Sequence, residues 1–220
     1  MKTRKTYYHR HLPHYHPEDA TFHIVFRLAG TLPQEVVERL RTEREHQEET
    51  LAGIRDERRK RDEWHLHHQA YFEKVDSLLD NDSSGPRWLA DERIAAIVAE
   101  AFHHRDEKEY DLLAFTIMPN HVHLVATVGR PDWSTYNRRH ESSTALSDIL
   151  ENLKWYTALK CNRVLTRAGQ FWQHESYDHV IRDSEELERA IGYVLNNPVK
   201  AGLVDTWEQW RWTYMKLGIV

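Results

Sequence analysis

The stretch LLAFTIMPNHVHLVATV, residues 112 to 128, limits what this chain can fold into more than any other segment. Two apolar runs rich in β-branched residues flank Pro119 and Asn120, a pair suited to a tight turn. The stretch therefore predicts a β-hairpin with strands over residues 111 to 118 and 121 to 128. His121 and His123 follow the turn directly, and side chains two apart on a strand project from one face. Both can then offer imidazole nitrogens to one divalent ion, while Val122 points into a core. The spacing alone is weak evidence: with 16 histidines in 220 residues it recurs at His9/His11, His14/His16 and His65/His67. Those pairs lie in a polar arm or a charged helix, and only His121/His123 sits between two strand-like runs.

The rest of the chain supplies the partners of that hairpin. The run TFHIVFRLAG, residues 21 to 30, reads as a first strand ending at Gly30, with a helix signal at Thr31 and Pro33. From Gln34 to about Leu79 charged residues dominate, predicting one or two long, largely solvated helices, with a break at Asn81 to Gly85. Residues 87 to 102 show helical spacing in Ile94, Ile97, Val98 and Phe102, with Asp91 as N-cap, and a second amphipathic helix runs from Ser143 to about Leu165. Residues 171 to 181 read as a fourth strand or an extended edge, and Ser184 is the expected cap of a last helix that Pro198 helps to end. The predicted class is α+β: a ferredoxin-like antiparallel four-stranded sheet with packed helices and a long charged helical insertion.

Length suits one domain with appended elements: a basic aromatic arm over 1–20, a domain over 21–205 with the insertion at about 34–80, and a Trp-rich tail over 206–220. Trp207, Trp210 and Trp212 are expected to pack that tail over the core. The single Cys161 excludes an intramolecular disulfide and a cysteine zinc cluster, no run approaches a membrane span, and no apolar signal segment is seen, so a cytoplasmic protein is expected. A net charge of −5 argues against indiscriminate duplex binding. The first 17 residues differ: Lys2, Arg4, Lys5 and Arg10 with no acid, among Tyr7, Tyr8 and Tyr15, suit a phosphate backbone and stacked bases. A frayed terminus is the plainer alternative.

Tyr193 and Asn197 lie four residues apart, on one face of the last helix if it extends that far. A tyrosine hydroxyl can attack a phosphodiester in line when a cation offsets charge on the phosphate oxygens. The two histidines can hold that cation, with Asn197 as a third ligand through its amide oxygen, a mixed set that suits Mn²⁺ or Mg²⁺. Spacing alone equally admits Tyr193 as a core aromatic and Asn197 as a helix C-terminal residue.

MPNHVHLV, FWQHESYDHVIRD and YVLNNPVKAGLV together resemble the HUH single-tyrosine transposases, specifically the REP-associated tyrosine transposases of bacteria. RHLPHYHPEDATFHIVFRLAGTLP and GPRWLADERIAAIVAEAF extend the resemblance over most of the chain. It implies a metal-dependent single-stranded DNA endonuclease and strand transferase acting at palindromic repeat hairpins. His121 and His123 match the paired metal ligands, Tyr193 the nucleophile, and Asn197 the helix position that completes the metal shell. The implied cut leaves a 5′-phosphotyrosine and a free 3′-hydroxyl, which can attack that linkage in reverse and rejoin strands.

Tyr177 and Tyr156 compete as nucleophiles but lack an asparagine one turn on. Lys154, Lys160, Arg163 and Arg182 are candidate phosphate contacts, and Arg10 and His14 candidates for hairpin or flank recognition. A domesticated hairpin binder that no longer cuts is the alternative function, and loss of a histidine or of Tyr193 would be its mark. An RNA-binding sheet would need exposed aromatics that LLAFTIM and LVATV scarcely offer. Monomer and dimer both stand open.

Overall fold

Period-two alternation builds the sheet, and helical spacing builds the elements that cover it. The computed structural model describes residues 7–9, 13–15, 19–81, 85–129 and 144–219. Its strands are β1 (Tyr7–His9), β2 (Pro13–Tyr15), β3 (Ala20–Arg27), β4 (Asp111–Ile117), β5 (His121–Val128), β6 (Tyr177–Ile181) and β7 (Thr213–Met215). Its α-helices are α1 (Gln34–Ala52), α2 (Glu57–Asn81), α3 (Glu92–Arg105), α4 (Ala145–Val164) and α5 (Ser184–Lys200). By its contacts the chain divides into two compact units, residues 1–29 with 88–220, and residues 30–87.

The first unit holds an antiparallel sheet in the order β6-β3-β5-β4-β7. Its first four members follow the β-α-β-β-α-β pattern of a ferredoxin-like fold. The expected count of four is corrected to five, because the tail adds β7 beside β4, with Thr213, Tyr214 and Met215 opposite Thr116, Phe115 and Ala114. Nothing periodic announces a three-residue strand. It forms because β4 otherwise ends the sheet with unpaired backbone groups, which Thr213–Met215 satisfies. Trp210 adds an indole N–H donated to the carbonyl of Ile117 at 3.0 Å.

Register assigns the two faces. Phe22, Ile24, Phe26 and Leu28 of the β3 side meet Val122, Leu124, Ala126 and Val128 of β5 in the main core, which α3 and α4 close with Ile94, Val98, Phe102, Ile149, Leu153 and Cys161. Burial pushes the Cys161 thiol up to about 12, so it is a packing residue rather than a nucleophile. The opposite face carries a smaller cluster, Leu113, Ala114, Val125 and Ile181, under Ile191, Val194 and Leu195 of α5.

Four local expectations change. Asp183, not Ser184, caps α5: its backbone is extended and its carboxylate accepts from the N–H of Glu186 at 2.8 Å, whereas Ser184 is already helical. Pro198 does not stop α5, which runs on to Lys200. A proline at the third-last position of a helix forfeits only one backbone bond, and the buried Ile191, Val194 and Leu195 hold the helix to its path. The fourth strand is shorter than expected, starting at Tyr177, with Trp172 making an isolated bridge to Leu28. The helix expected from Ser143 starts at Ala145, where Thr144 and Ser147 form a reciprocal capping box.

The second unit contains α1 and α2. Asp56 accepts from the N–H groups of Arg58 and Arg59 at 2.9 and 3.0 Å and so starts α2. Lys74 and Glu43 pair across the two helices, and exposed pairs such as Arg41–Glu45 lie along their surfaces. At the root of the unit its two ends touch: a Cβ on Gly85 would stand 2.6 Å from Thr31 Cα and 2.8 Å from the Gly30 oxygen. Only glycine fits so close an approach.

Of the N-terminal arm, β1 and β2 are described as an antiparallel pair. Arg10 lies outside the described residues; His14 falls in β2, with its side chain outside the description.

Phe26 has no solvent exposure and meets Trp172 and Phe102 edge-on at 4.8 and 6.3 Å. Phe26→Ala is expected to lower unfolding stability by about 3–5 kcal/mol, read from the urea midpoint at unchanged slope.

Candidate active site

Three elements of the first unit bring titratable groups together on the sheet face under α5. On β5, His121 and His123 point to that face, opposite Arg27 and Val25 of β3. Both are fully buried. Their Nε2 atoms stand 3.0 Å apart. The outer nitrogen of each ring has its own partner: His121 Nδ1 lies 2.7 Å from Asn120 Oδ1, and His123 Nδ1 lies 3.2 Å from His23 Nε2. A partner on Nδ1 fixes an imidazole's orientation and leaves Nε2 to face whatever the pair binds.

Helix α5 crosses this face. The Tyr193 ring sits 5.9 Å from His123 and 6.0 Å from His23, edge-on to both. Lys200 lies two turns further along, its Nζ 3.4 Å from the Tyr193 hydroxyl and 5.3 Å from the ring centre. Because α5 continues to Lys200, Tyr193 and Asn197 share one face, a turn apart; Asn197 is buried and Tyr193 half-buried.

The anchoring of α5 is electrostatic at its start. Burial pushes the Glu186 carboxyl up, but it accepts from His179 Nε2 at 2.6 Å and from the Arg182 N–H at 2.9 Å, and these bonds with the charges of both residues outweigh burial. The net result is a pKa below the ordinary carboxylate value. His179 belongs to β6 and sits opposite His23 of β3, so this bond ties the first turn of α5 to the sheet.

The two imidazole nitrogens converge closely enough to share one divalent ion. Two nitrogens at right angles, each about 2.1 Å from an octahedral ion, lie about 3.0 Å apart, the separation between the two Nε2 atoms. His121 and His123 would hold such an ion through nitrogen, and when bound it would draw charge from nearby anionic oxygens.

The candidate phosphate contacts are placed elsewhere. Lys154, Lys160 and Arg163 belong to α4, which packs on the other face of the sheet. The Lys154 ammonium donates to the carbonyls of Gln173, His174 and Glu175 at 3.0, 3.1 and 3.3 Å. Lys160 stands over the Tyr156 ring at 5.6 Å, and Arg163 is exposed. Arg182 pairs with Glu186 at 3.3 Å. Of the competing tyrosines, Tyr156 is on α4, whereas Tyr177 lies on the site face opposite Val25.

Sequence reasoning missed His23, Lys200 and the role of Asn120 as a partner of His121. Lys200 was visible as a cation at helical spacing from Tyr193. Asn120 adjoins the first histidine, but its suitability for a turn accounts for it without a second role. His23 could be joined to His123 only through the non-local pairing of β3 with β5.

No family model matches the chain. A Haemophilus influenzae protein provisionally named a REP-associated tyrosine transposase is 28% identical over 104 residues, 47% of this chain and 58% of that protein. The chain thus spans little more than half the length of this curated relative. A solved structure of a REP-associated tyrosine transposase bound to a REP hairpin aligns with 97% of this chain and 82% of its own at a TM-score of 0.50 and 14% identity, a likeness of fold. The sequence relative supports the resemblance to REP-associated tyrosine transposases that the motifs carry, and the solved structure supports the fold. Among the described residues no helix is long and apolar enough to cross a membrane.

A carboxylate with a lowered folded pKa contributes stability above its unfolded value of about 4.3, and that contribution is lost as pH falls through the folded value. Glu186→Gln is therefore expected to flatten the acid side of the stability curve, with urea midpoints of the two proteins falling less far apart below pH 4 than at pH 7.

Proposed function

We propose that the chain is a divalent-metal-dependent nuclease and strand transferase for single-stranded DNA, acting at palindromic repeat hairpins through a 5′-phosphotyrosine. The observation that carries this reading is the edge-on approach of Tyr193 to His123, 5.9 Å between ring centres, beside two imidazole nitrogens that converge. The resemblance and the provisionally named relative support the substrate class.

Each step falls to a group of this chain. His121 and His123, with Asn197, would hold Mg²⁺ or Mn²⁺. Tyr193 Oη attacks phosphorus; the new P–O bond forms as the bond to the 3′-oxygen breaks, and that oxygen leaves as a hydroxyl after taking up a proton. The ammonium of Lys200, 3.4 Å from Oη, favours the charge that the phenol oxygen carries as it loses its own proton. Reversal uses the same atoms: a 3′-hydroxyl attacks the phosphotyrosine, Tyr193 departs, and the bond energy is conserved without an external source. The roles of Arg10, His14, Lys160, Arg163 and Arg182 in gripping DNA remain part of this proposal, with Lys154 the least suited because its ammonium already serves three carbonyls.

The test is cleavage of labelled single-stranded DNA carrying palindromic repeats of the source genome. With Mn²⁺, wild type is expected to cut and to retain the 5′-phosphorylated product covalently. EDTA and His121→Ala should reduce cutting to background, and Tyr193→Phe should abolish the adduct while leaving hairpin binding within about twofold. Hairpin binding without cutting under either metal would favour the domesticated binder instead.

A further inference from the structure

Three hydrogen bonds run in series across the site, and their direction follows from one acceptor. Asn120 presents Oδ1, which can only accept, so His121 Nδ1 carries the proton and donates to it at 2.7 Å. A neutral His121 then has a lone pair on Nε2, which must accept from His123 Nε2–H at 3.0 Å. That leaves His123 with a lone pair on Nδ1, and His23 Nε2–H donates to it at 3.2 Å. Without a cation, therefore, the order of donation is His23 to His123 to His121 to Asn120.

A cation on the two Nε2 atoms is incompatible with half of that order. His121 already offers its lone pair. His123 does not: to ligate through Nε2 its proton has to sit on Nδ1, where it must find an acceptor. The atom facing it is His23 Nε2, buried on β3 and reached diagonally from β5, since His23 stands opposite Val125, two residues beyond His123. His23 can accept only if its own proton is on Nδ1.

We infer that His23 is a positioning residue for metal binding, and that loading the cation reverses the hydrogen bond between His23 and His123. His23 acts as donor in the metal-free protein and as acceptor in the loaded one. In the exchange each ring moves a proton from Nε2 to Nδ1. The position therefore demands a side chain that can both donate and accept at one point, which histidine and glutamine can do and leucine cannot. The inference rests on the proposed metal site and adds a requirement to it.

The test is Mn²⁺ affinity measured by electron paramagnetic resonance on the DNA-free full chain, for wild type, His23→Leu, His23→Gln and His121→Ala. His23→Leu is expected to weaken Mn²⁺ by roughly 10–100-fold. His23→Gln, whose amide reaches the place of Nε2, should stay within about threefold of wild type. Thermal midpoints identify any variant that has failed to fold, and the glutamine rescue is a result that loss of packing alone would not give. Nitrogen-15 shifts of the His23 ring should also exchange their Nδ1 and Nε2 character when saturating Mg²⁺ is added. Equal affinities for wild type and folded His23→Leu, with His121→Ala binding nothing, would overturn this inference and leave the metal site standing. Failure of wild type to bind Mn²⁺ would overturn both.

Discussion

The register between β3 and β5 is the constraint on which the rest depends. Backbone hydrogen bonding pairs Phe26 with Val122 and Val25 with His123, and so sends apolar residues to one side and histidines to the other. A slip of one residue would drive both histidines into the aromatic core and turn Val122 toward the polar site. That slip carries a double penalty, buried unpaired imidazoles on one side and lost apolar burial on the other. β5 is flanked by β3 and β4, so its alignment is enforced from both edges. The Pro119–Asn120 turn sets the phase from which this alternation starts.

Division of labour between the faces follows. The α3/α4 side is filled by Phe26, Phe102, Phe115 and Trp172 and provides most of the burial. The α5 side has a smaller apolar cluster at one end and the imidazoles at the other. Helix α5 serves both ends at once: Ile191, Val194 and Leu195 pack, while Tyr193 and Asn197 belong to the candidate site. Its first turn is held by Glu186 to His179 of β6. The candidate nucleophile is thus carried on a rigid element fixed at its start and along its packed side, which suits a reaction that requires in-line placement.

Much of this was legible in the sequence because it is local. The hairpin was readable from alternation about a Pro-Asn turn, α3 from Ile94, Val98 and Phe102 with its Asp91 cap, and the charged helices from their composition. Pairing is not local, and the misses cluster there. β7 has three residues and exists only because β4 has an edge to satisfy. His23 sat in a correctly read strand, but its side chain acquires a partner only when β3 lies against β5. Lys154 looked like an exposed cation on a helix, yet the loop at Gln173 to Glu175 folds three carbonyls onto it. Ser184 and Asp183 are equally good caps by type; the extended backbone at Asp183 decided between them.

The glycine contact at the root of the helical insertion has a consequence for how such a chain can change over time. Gly30, Thr31 and Gly85 lie in contact, so the 58-residue unit leaves and returns at a single point. For a segment whose ends are already together, added length costs little, about 0.6 kcal/mol of closure entropy per doubling if it were flexible. Insertions and deletions between those glycines therefore leave the two ends of the unit together. Selection can lengthen or shorten that part of the chain at little entropic cost to closing it.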